Sequence, residues 1–154
     1  MPCHSAMIEN PLSVKSDEEV GEVLAKLKKA KTQYAPVLDE DDKLVGMFSY
    51  EILLKNLLPV SVAMADGIQL DVTVRAAPGI AKRLKKVYHL PVSDFMERKV
   101  NAVHPETPTW EGINFLIMHG APLVVVDSET EKLAGLMNGE SALDELIRLK
   151  DSES

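Results

Sequence analysis

The chain repeats itself at an offset of 89 residues, and a repeat of that length sets the architecture before any single element is assigned. Met7-Ile8-Glu9-Asn10-Pro11-Leu12-Ser13-Val14 lies over Met96-Glu97-Arg98-Lys99-Val100-Asn101-Ala102-Val103, and the register continues through Glu22 over Glu111 and Leu27 over Leu116. Further on, Asp39-Glu40-Asp41-Asp42-Lys43-Leu44-Val45-Gly46 faces Asp127-Ser128-Glu129-Thr130-Glu131-Lys132-Leu133-Ala134-Gly135, with one extra residue in the second turn. Few positions are identical, but the order of features is the same.

Each copy reads as strand, helix, strand, strand, helix. In the first, an apolar piece at Leu12 to Val14 precedes Ser16-Asp17-Glu18-Glu19, whose S-x-x-E form predicts a capping box at a helix start. Val20, Val23, Leu24 and Leu27 then form one apolar stripe, with lysines on the wet side and an end near Lys31. Tyr34 to Leu38 and Leu44 to Phe48 flank the acidic cluster Asp39 to Asp42, a hairpin signal, and Glu51 to Leu58 predicts a helix stopped by Pro59. The second copy gives a strand at Asn101 to Val103 and a helix with Thr107 as N-cap and Pro108 at its first position. Trp110, Ile113 and Ile117 mark that helix's expected buried stripe, and Gly120 its end. Strands at Leu123 to Val126 and Leu133 to Met137 and a helix at Ser141 to Leu149 complete the copy. About fifty residues bury too little surface to fold alone, so the copies are expected to share a core.

Composition narrows the function classes. The chain of 154 residues carries 17 Lys+Arg against 24 Asp+Glu, and a net charge of -7 opposes wholesale coating of nucleic acid or anionic membrane. The single cysteine, Cys3, cannot form an internal disulfide, and neither a membrane-spanning run nor a signal-peptide core is visible, so a cytoplasmic location without membrane insertion is the expectation. From Arg75 to Lys99 seven basic residues meet two acidic ones, and Ile80, Leu84, Val87 and Tyr88 share one helical face behind Pro78-Gly79. That basic amphipathic helix reads as a solvated face, a phosphate-contacting arm or a docking surface for an acidic partner; without interleaved aromatics it does not read as a nucleic-acid site. Cys3-His4, His89, His104 and His119 are too scattered for a metal motif. His104 follows the second copy's first strand and is read as a surface or cap histidine with a secondary reading as a ligand contact, and His119 as a helix-end residue. No nucleophile elbow, phosphate loop or perturbed acid pair is present, so no catalytic residue is expected.

Ala35-Pro36-Val37-Leu38-Asp39 followed by Lys43-Leu44-Val45-Gly46-Met47-Phe48-Ser49 resembles the cystathionine beta-synthase (CBS) domain, whose usual run is close to L-P-V-V-D, an acidic turn and L-V-G-I-V-T. The resemblance covers Met7 to Leu58 and Val92 to Leu149, in the paired arrangement of a Bateman module. It implies an α+β fold of two repeats packed about a pseudo-twofold axis: repeat 1 over residues 1–60, a connecting segment with the basic helix over 61–91, and repeat 2 over 92–150. It also implies a cleft that in many members binds AMP, ADP, ATP or S-adenosylmethionine, and a homodimer. Ligand-facing positions are then Tyr34, Ala35 and Ser49 in repeat 1 and Asn101, Val103, His104, Pro122, Leu123, Asn138 and Ser141 in repeat 2.

The family's G-x-x-T-x-x-D pattern, a phosphate hydroxyl and a ribose carboxylate, becomes Gly46, Ser49, Ile52 in one copy and Gly135, Asn138, Ser141 in the other. Ile52 offers no acceptor and Ser141 still does, so repeat 2 is expected to hold the better site, one per chain. The resulting reading is a non-enzymatic regulatory module that senses an adenosine compound and signals in trans to an effector protein of unknown identity. Its alternative is a ligand-free dimerisation scaffold with degenerate clefts. The helices after Gly46 and Gly135, through Ile52, Leu53, Leu143 and Leu146, are expected to meet a second chain.

Overall fold

The computed structural model describes residues 2–58 and 79–152. Pro59, Arg75, Pro78 and most of the connecting segment lie outside these residues. Among the described residues five α-helices and two sheets follow in the expected order. Repeat 1 supplies β2 (Val14–Lys15), α1 (Val20–Ala30), β3 (Tyr34–Leu38), β4 (Leu44–Ser49) and α2 (Tyr50–Leu57), after an initial β1 (Ile8–Glu9). The basic helix α3 (Ile80–Val87) precedes β5 (Ala102–Val103), α4 (Thr109–His119), β6 (Leu123–Val126), β7 (Leu133–Met137) and α5 (Gly139–Ser152).

The sheets do not respect the boundaries between the repeats. One has the order β2-β3-β4; the other runs β1-β7-β6-β5, so the strand that opens the chain pairs with the last strand of repeat 2, Ile8 opposite Leu136. At the corresponding place in repeat 1, Met47 and Glu97 exchange two backbone hydrogen bonds of 2.8 Å. Side chains follow the same exchange. Cys3 and Ala6 pack with Val103, Leu123, Val125 and Met137, whereas Val92 packs with Val20, Leu27, Phe48 and Leu57. A third cluster, Met47 with Val124 and Leu136, joins the two sheets at their seam. The division at residues 60 and 92 read from the sequence is therefore not the division of the cores: each repeat borrows the segment that leads into the other.

Two glycines make the borrowing possible. A Cβ on Gly46 would lie 2.8 Å from the Glu97 carbonyl oxygen and 2.6 Å from the Met96 sulfur. A Cβ on Gly135 would lie 2.6 Å from the Ile8 carbonyl oxygen and 2.8 Å from the Met7 sulfur. These are the same contacts, one repeat later, and only a residue without a side chain lets the crossing segment lie this close to the strand.

Three local expectations are corrected. The capping box at Ser16 does not form: the Ser16 amide donates to the Leu38 carbonyl, the Glu18 carboxylate takes the Lys15 amide, and α1 starts at Val20 with no side-chain cap. Its first amides donate instead to backbone carbonyls, Val20 to Leu90 and Gly21 to Tyr88, which satisfies the helix start without a cap residue. In α4 the cap is shifted by one residue, with Pro108 extended at that place and the Thr107 hydroxyl accepting from the His104 amide. The stripe assigned to α4 is also the wrong one. Trp110 and Ile117 are 68% and 78% exposed, and the helix turns Thr109 and Gly112 inward, with Ile113 and Leu116 half-buried.

The hairpins form as the sequence predicts. The Asp39 carboxylate accepts from the Asp41 and Lys43 amides, and that of Asp127 from the Glu129 and Thr130 amides. These donors, Thr130 first, hold the Asp127 carboxyl below the usual carboxylate range. α3 is amphipathic as expected, Leu84 and Val87 against the first core and Lys82, Arg83, Lys85 and Lys86 exposed, so it is a packed helix with a solvated face.

Candidate functional site

Where the two sheets meet, packing leaves a cleft of about 500 Å³ at the start of α2, within the size range of small-molecule sites. Ser49 ends β4 and caps α2, its Oγ accepting from the Ile52 amide at 3.1 Å, so the hydroxyl hydrogen is left to donate elsewhere. Tyr34, Met47 and Ile52 come from repeat 1, and Val100, Asn101 and Pro122 from repeat 2. Charged groups of both signs line it as well, Lys99 against Glu51 and Glu97, with His119 from the end of α4. A groove of about 400 Å³ shares Ile52 and Glu97 with it and carries Lys55, Arg83 and Asp94.

At the twofold-related place, the start of α5, the polar side chains bond to one another. The Asn138 amide donates to Ser141 Oγ at 3.0 Å, the Ser141 amide to Asn138 Oδ1 at 2.8 Å, and the Ser141 hydroxyl to the Asn138 carbonyl at 3.1 Å. This is a reciprocal cap that uses the oxygens a ligand would need. Asn138 Nδ2 in turn donates to the Tyr34 hydroxyl at 3.2 Å, so a side chain from repeat 1 reaches across to this helix start. Pro122, which stands beside Asn138 as Tyr34 stands beside Ser49, has no such arm and leaves its own cleft open.

The expected ligand-facing residues thus divide. Tyr34, Ser49, Asn101 and Pro122 line the open cleft. Asn138 and Ser141 satisfy each other, and Ala35, Val103 and Leu123 are core residues, 0%, 5% and 1% exposed. His104 is outside the cleft, with Nδ1 3.0 Å from the Val126 carbonyl oxygen. Glu97, Lys99 and His119 enter from segments whose position depends on the exchange between repeats. The basic run contained Lys99, but no local pattern distinguished it from its neighbours.

No cluster of His, Cys, Asp and Glu able to hold a metal ion is formed among the described residues. Cys3 is buried, and burial pushes its thiol above the ordinary value, away from the reactive thiolate. Among the described residues no helix is long and apolar enough to cross a membrane.

The model of the CBS domain matches residues 3–59. Residues 3–59 therefore form a CBS domain. CBSX2 from Arabidopsis thaliana, a CBS-pair protein, superposes with a TM-score of 0.76 at 22% identity, covering 97% of this chain and 96% of that one. A structure of CBSX2 in complex with AMP superposes at 0.71 with 24% identity over 97% and 98% of the two chains. Protein MJ1426 of Methanocaldococcus jannaschii is 24% identical over 149 residues, 92% of this chain and 89% of that protein. CBS domains are in general regulatory, non-catalytic modules.

Proposed function

We propose that this CBS module binds an adenosine-containing ligand in the cleft at the start of α2, one per chain, and passes its occupancy as a homodimer to an effector protein in trans. The observation that carries the reading is the asymmetry of the two helix starts: α2 opens onto about 500 Å³ lined by both repeats, and at α5 Asn138 is engaged by both Ser141 and Tyr34. The site is therefore assigned to repeat 1, against the preference for Ser141 drawn from the sequence. The AMP complex of the structurally similar CBSX2 supports the ligand class. Because Lys99 is offset by Glu51 and Glu97, each added phosphate meets as much repulsion as attraction, and AMP is expected to bind at least as tightly as ATP.

Calorimetry of the full chain with AMP, ADP, ATP and S-adenosylmethionine tests this, after any co-purified nucleotide has been removed. A stoichiometry of one is the expected result. Ile52→Asp, which supplies a carboxylate where the cleft now has hydrocarbon, is expected to tighten binding about tenfold, the worth of a charge-assisted hydrogen bond of roughly 1.4 kcal/mol. Ser141→Ala is expected to leave affinity unchanged, since Ser141 serves α5. Ile52 also favours the second reading, a scaffold whose cleft has lost its ligand. Silence of the wild type toward all four compounds, with binding restored in Ile52→Asp, would establish that reading.

A further inference from the structure

We propose that the basic outer face of α3 is the surface on which the effector docks, and that what it receives is a short acidic stretch of polypeptide with an apolar residue at its centre. The inference rests on the reading that the module acts in trans, and it names the surface and the chemistry of the partner. Lys82, Lys85 and Lys86 fall at i, i+3 and i+4 and so share one face of α3, opposite Leu84 and Val87, which pack on the first core. All three are exposed, and from Gly79 to Leu90 the chain has no acidic residue. Among the described residues no carboxylate pairs with any of them or with Arg83. Lys82 and Arg83 stand in the first turn, the end at which a helix disfavours cations, so the fold itself gives no reason for them. Lys28 and Lys29, by contrast, sit in the last turn of α1, where cations stabilise the helix.

The face is presented rigidly. The Val20 and Gly21 amides donate to the Leu90 and Tyr88 carbonyls just beyond α3, at 2.9 Å each, and the Tyr88 ring lies over Gly21, where a Cβ would be 2.1 Å from it. A partner therefore meets a helix already in place, which lowers the ordering cost of docking. Arg83 stands at the side of the stripe and lines, with Lys55 of α2, a groove of about 400 Å³ that the half-buried Phe95 and Met96 make partly apolar. Leu53 of α2, expected to meet a second chain, is instead buried in the first core. Asp94 and Glu97 stand in the same groove and offset its cations, so the groove rewards an apolar side chain, whereas the outer stripe rewards carboxylates. Eight helical residues span about 12 Å, the reach of about four residues of extended chain, which sets the size of the segment. A duplex or a membrane fits less well, because residues 100–154 carry ten acidic residues against three basic ones and repel a long polyanion. The groove shares Ile52 and Glu97 with the cleft, so a partner seated in it stands next to the ligand.

The test is fluorescence anisotropy of a labelled peptide with one leucine between two pairs of glutamates, titrated with the full chain to about 1 mM in the absence of nucleotide. Saturable binding that weakens as salt is raised is the expected result. Lys82→Glu with Lys86→Glu is expected to weaken it at least about tenfold, and Lys28→Glu with Lys29→Glu, the same change of charge on α1, by less than about twofold. Lys85→Glu alone gives the same readout should the double variant disturb α3. Alanine in place of the peptide's leucine is expected to bind at least about threefold more weakly, and equal binding would overturn the apolar anchor. A wild type that does not bind overturns the proposal, as do equal losses in the two double variants, which would mark attraction by net charge alone. Tighter binding of duplex DNA or of phosphatidylserine vesicles, lost with the same lysines, overturns it in favour of a nucleic-acid or membrane contact. Because no nucleotide is present, silence of the cleft in calorimetry leaves this result standing, and the two readings fail separately.

Discussion

Expressed separately as residues 1–60 and 92–154, neither half of the chain is expected to give a cooperative unfolding transition. The first fragment loses Val92 from its core, the partner of both Met47 backbone groups, and the carbonyls of Tyr88 and Leu90 that receive the first amides of α1. The second loses Cys3, Ala6 and the edge strand β1. Each also exposes its share of the seam at Met47, Val124 and Leu136. With net stabilities of domains in the range of about 5–15 kcal/mol and each lost buried side chain worth about 2 kcal/mol or more, losses on this scale exceed what a fragment of this size can spare. Thermal circular dichroism on the two fragments is the measurement. A sharp transition in either would show that the exchanged segments are dispensable. Mixing fragments 1–78 and 79–154, which together retain every one of these contacts, is expected to restore cooperative unfolding.

Replacing Gly46 or Gly135 by valine is the second large effect. A new Cβ would meet a backbone carbonyl of the crossing segment in each case, Glu97 at 2.8 Å behind the Met96 sulfur at 2.6 Å for Gly46, and Ile8 at 2.6 Å for Gly135, and a carbonyl inside a strand pairing cannot swing aside as a side-chain end can. Overpacking of this kind costs about 1–3 kcal/mol, and a chain of this size is expected to lose roughly 5–10 °C of melting temperature at the upper end. Gly139→Ala serves as the control, since no atom lies within 4 Å of its would-be Cβ. It is expected to melt at or slightly above the wild-type temperature. Equal melting of all three variants would refute the claim that the first two glycines are there for the passage of the crossing segments.

What could be read before folding was local. The hairpins were legible because Asp39 and Asp127 carry their own turn chemistry, each carboxylate accepting hydrogen bonds from two backbone amides, between apolar runs. The start of α1 was not, because the groups that cap it belong to residues 88–90 and no spacing near Ser16 reveals them. Helix α4 is apolar nearly all round, so periodicity alone could not distinguish the stripe through Gly112 and Leu116 that faces the core from the one through Phe115 and Met118 that does not. The cleft divided in the same way. Tyr34, Ser49, Asn101 and Pro122 sit at fixed places in the repeated pattern and were found there. Asn138 and Ser141 also fit the pattern, yet short polar side chains at a helix start compete for the same donors and acceptors as a ligand, and here the helix takes them.

The exchange of segments also orders events during synthesis. Ile8 leaves the ribosome well ahead of its strand partner, Leu136, with the whole of repeat 1 made in between. Repeat 1, although complete in elements once α2 has emerged, must wait for Val92 and Glu97 before its edge and core are closed. A nascent chain of this kind therefore carries an open sheet edge until Glu97 has emerged, and its pairing of β1 with β7 must wait for Leu136. Folding slows as contacts span more of the chain, and unpaired edges are where growing chains stick to one another. The same interleaving that binds the two repeats into one folded unit thus leaves the place of β1 in its sheet empty until β7 has been made.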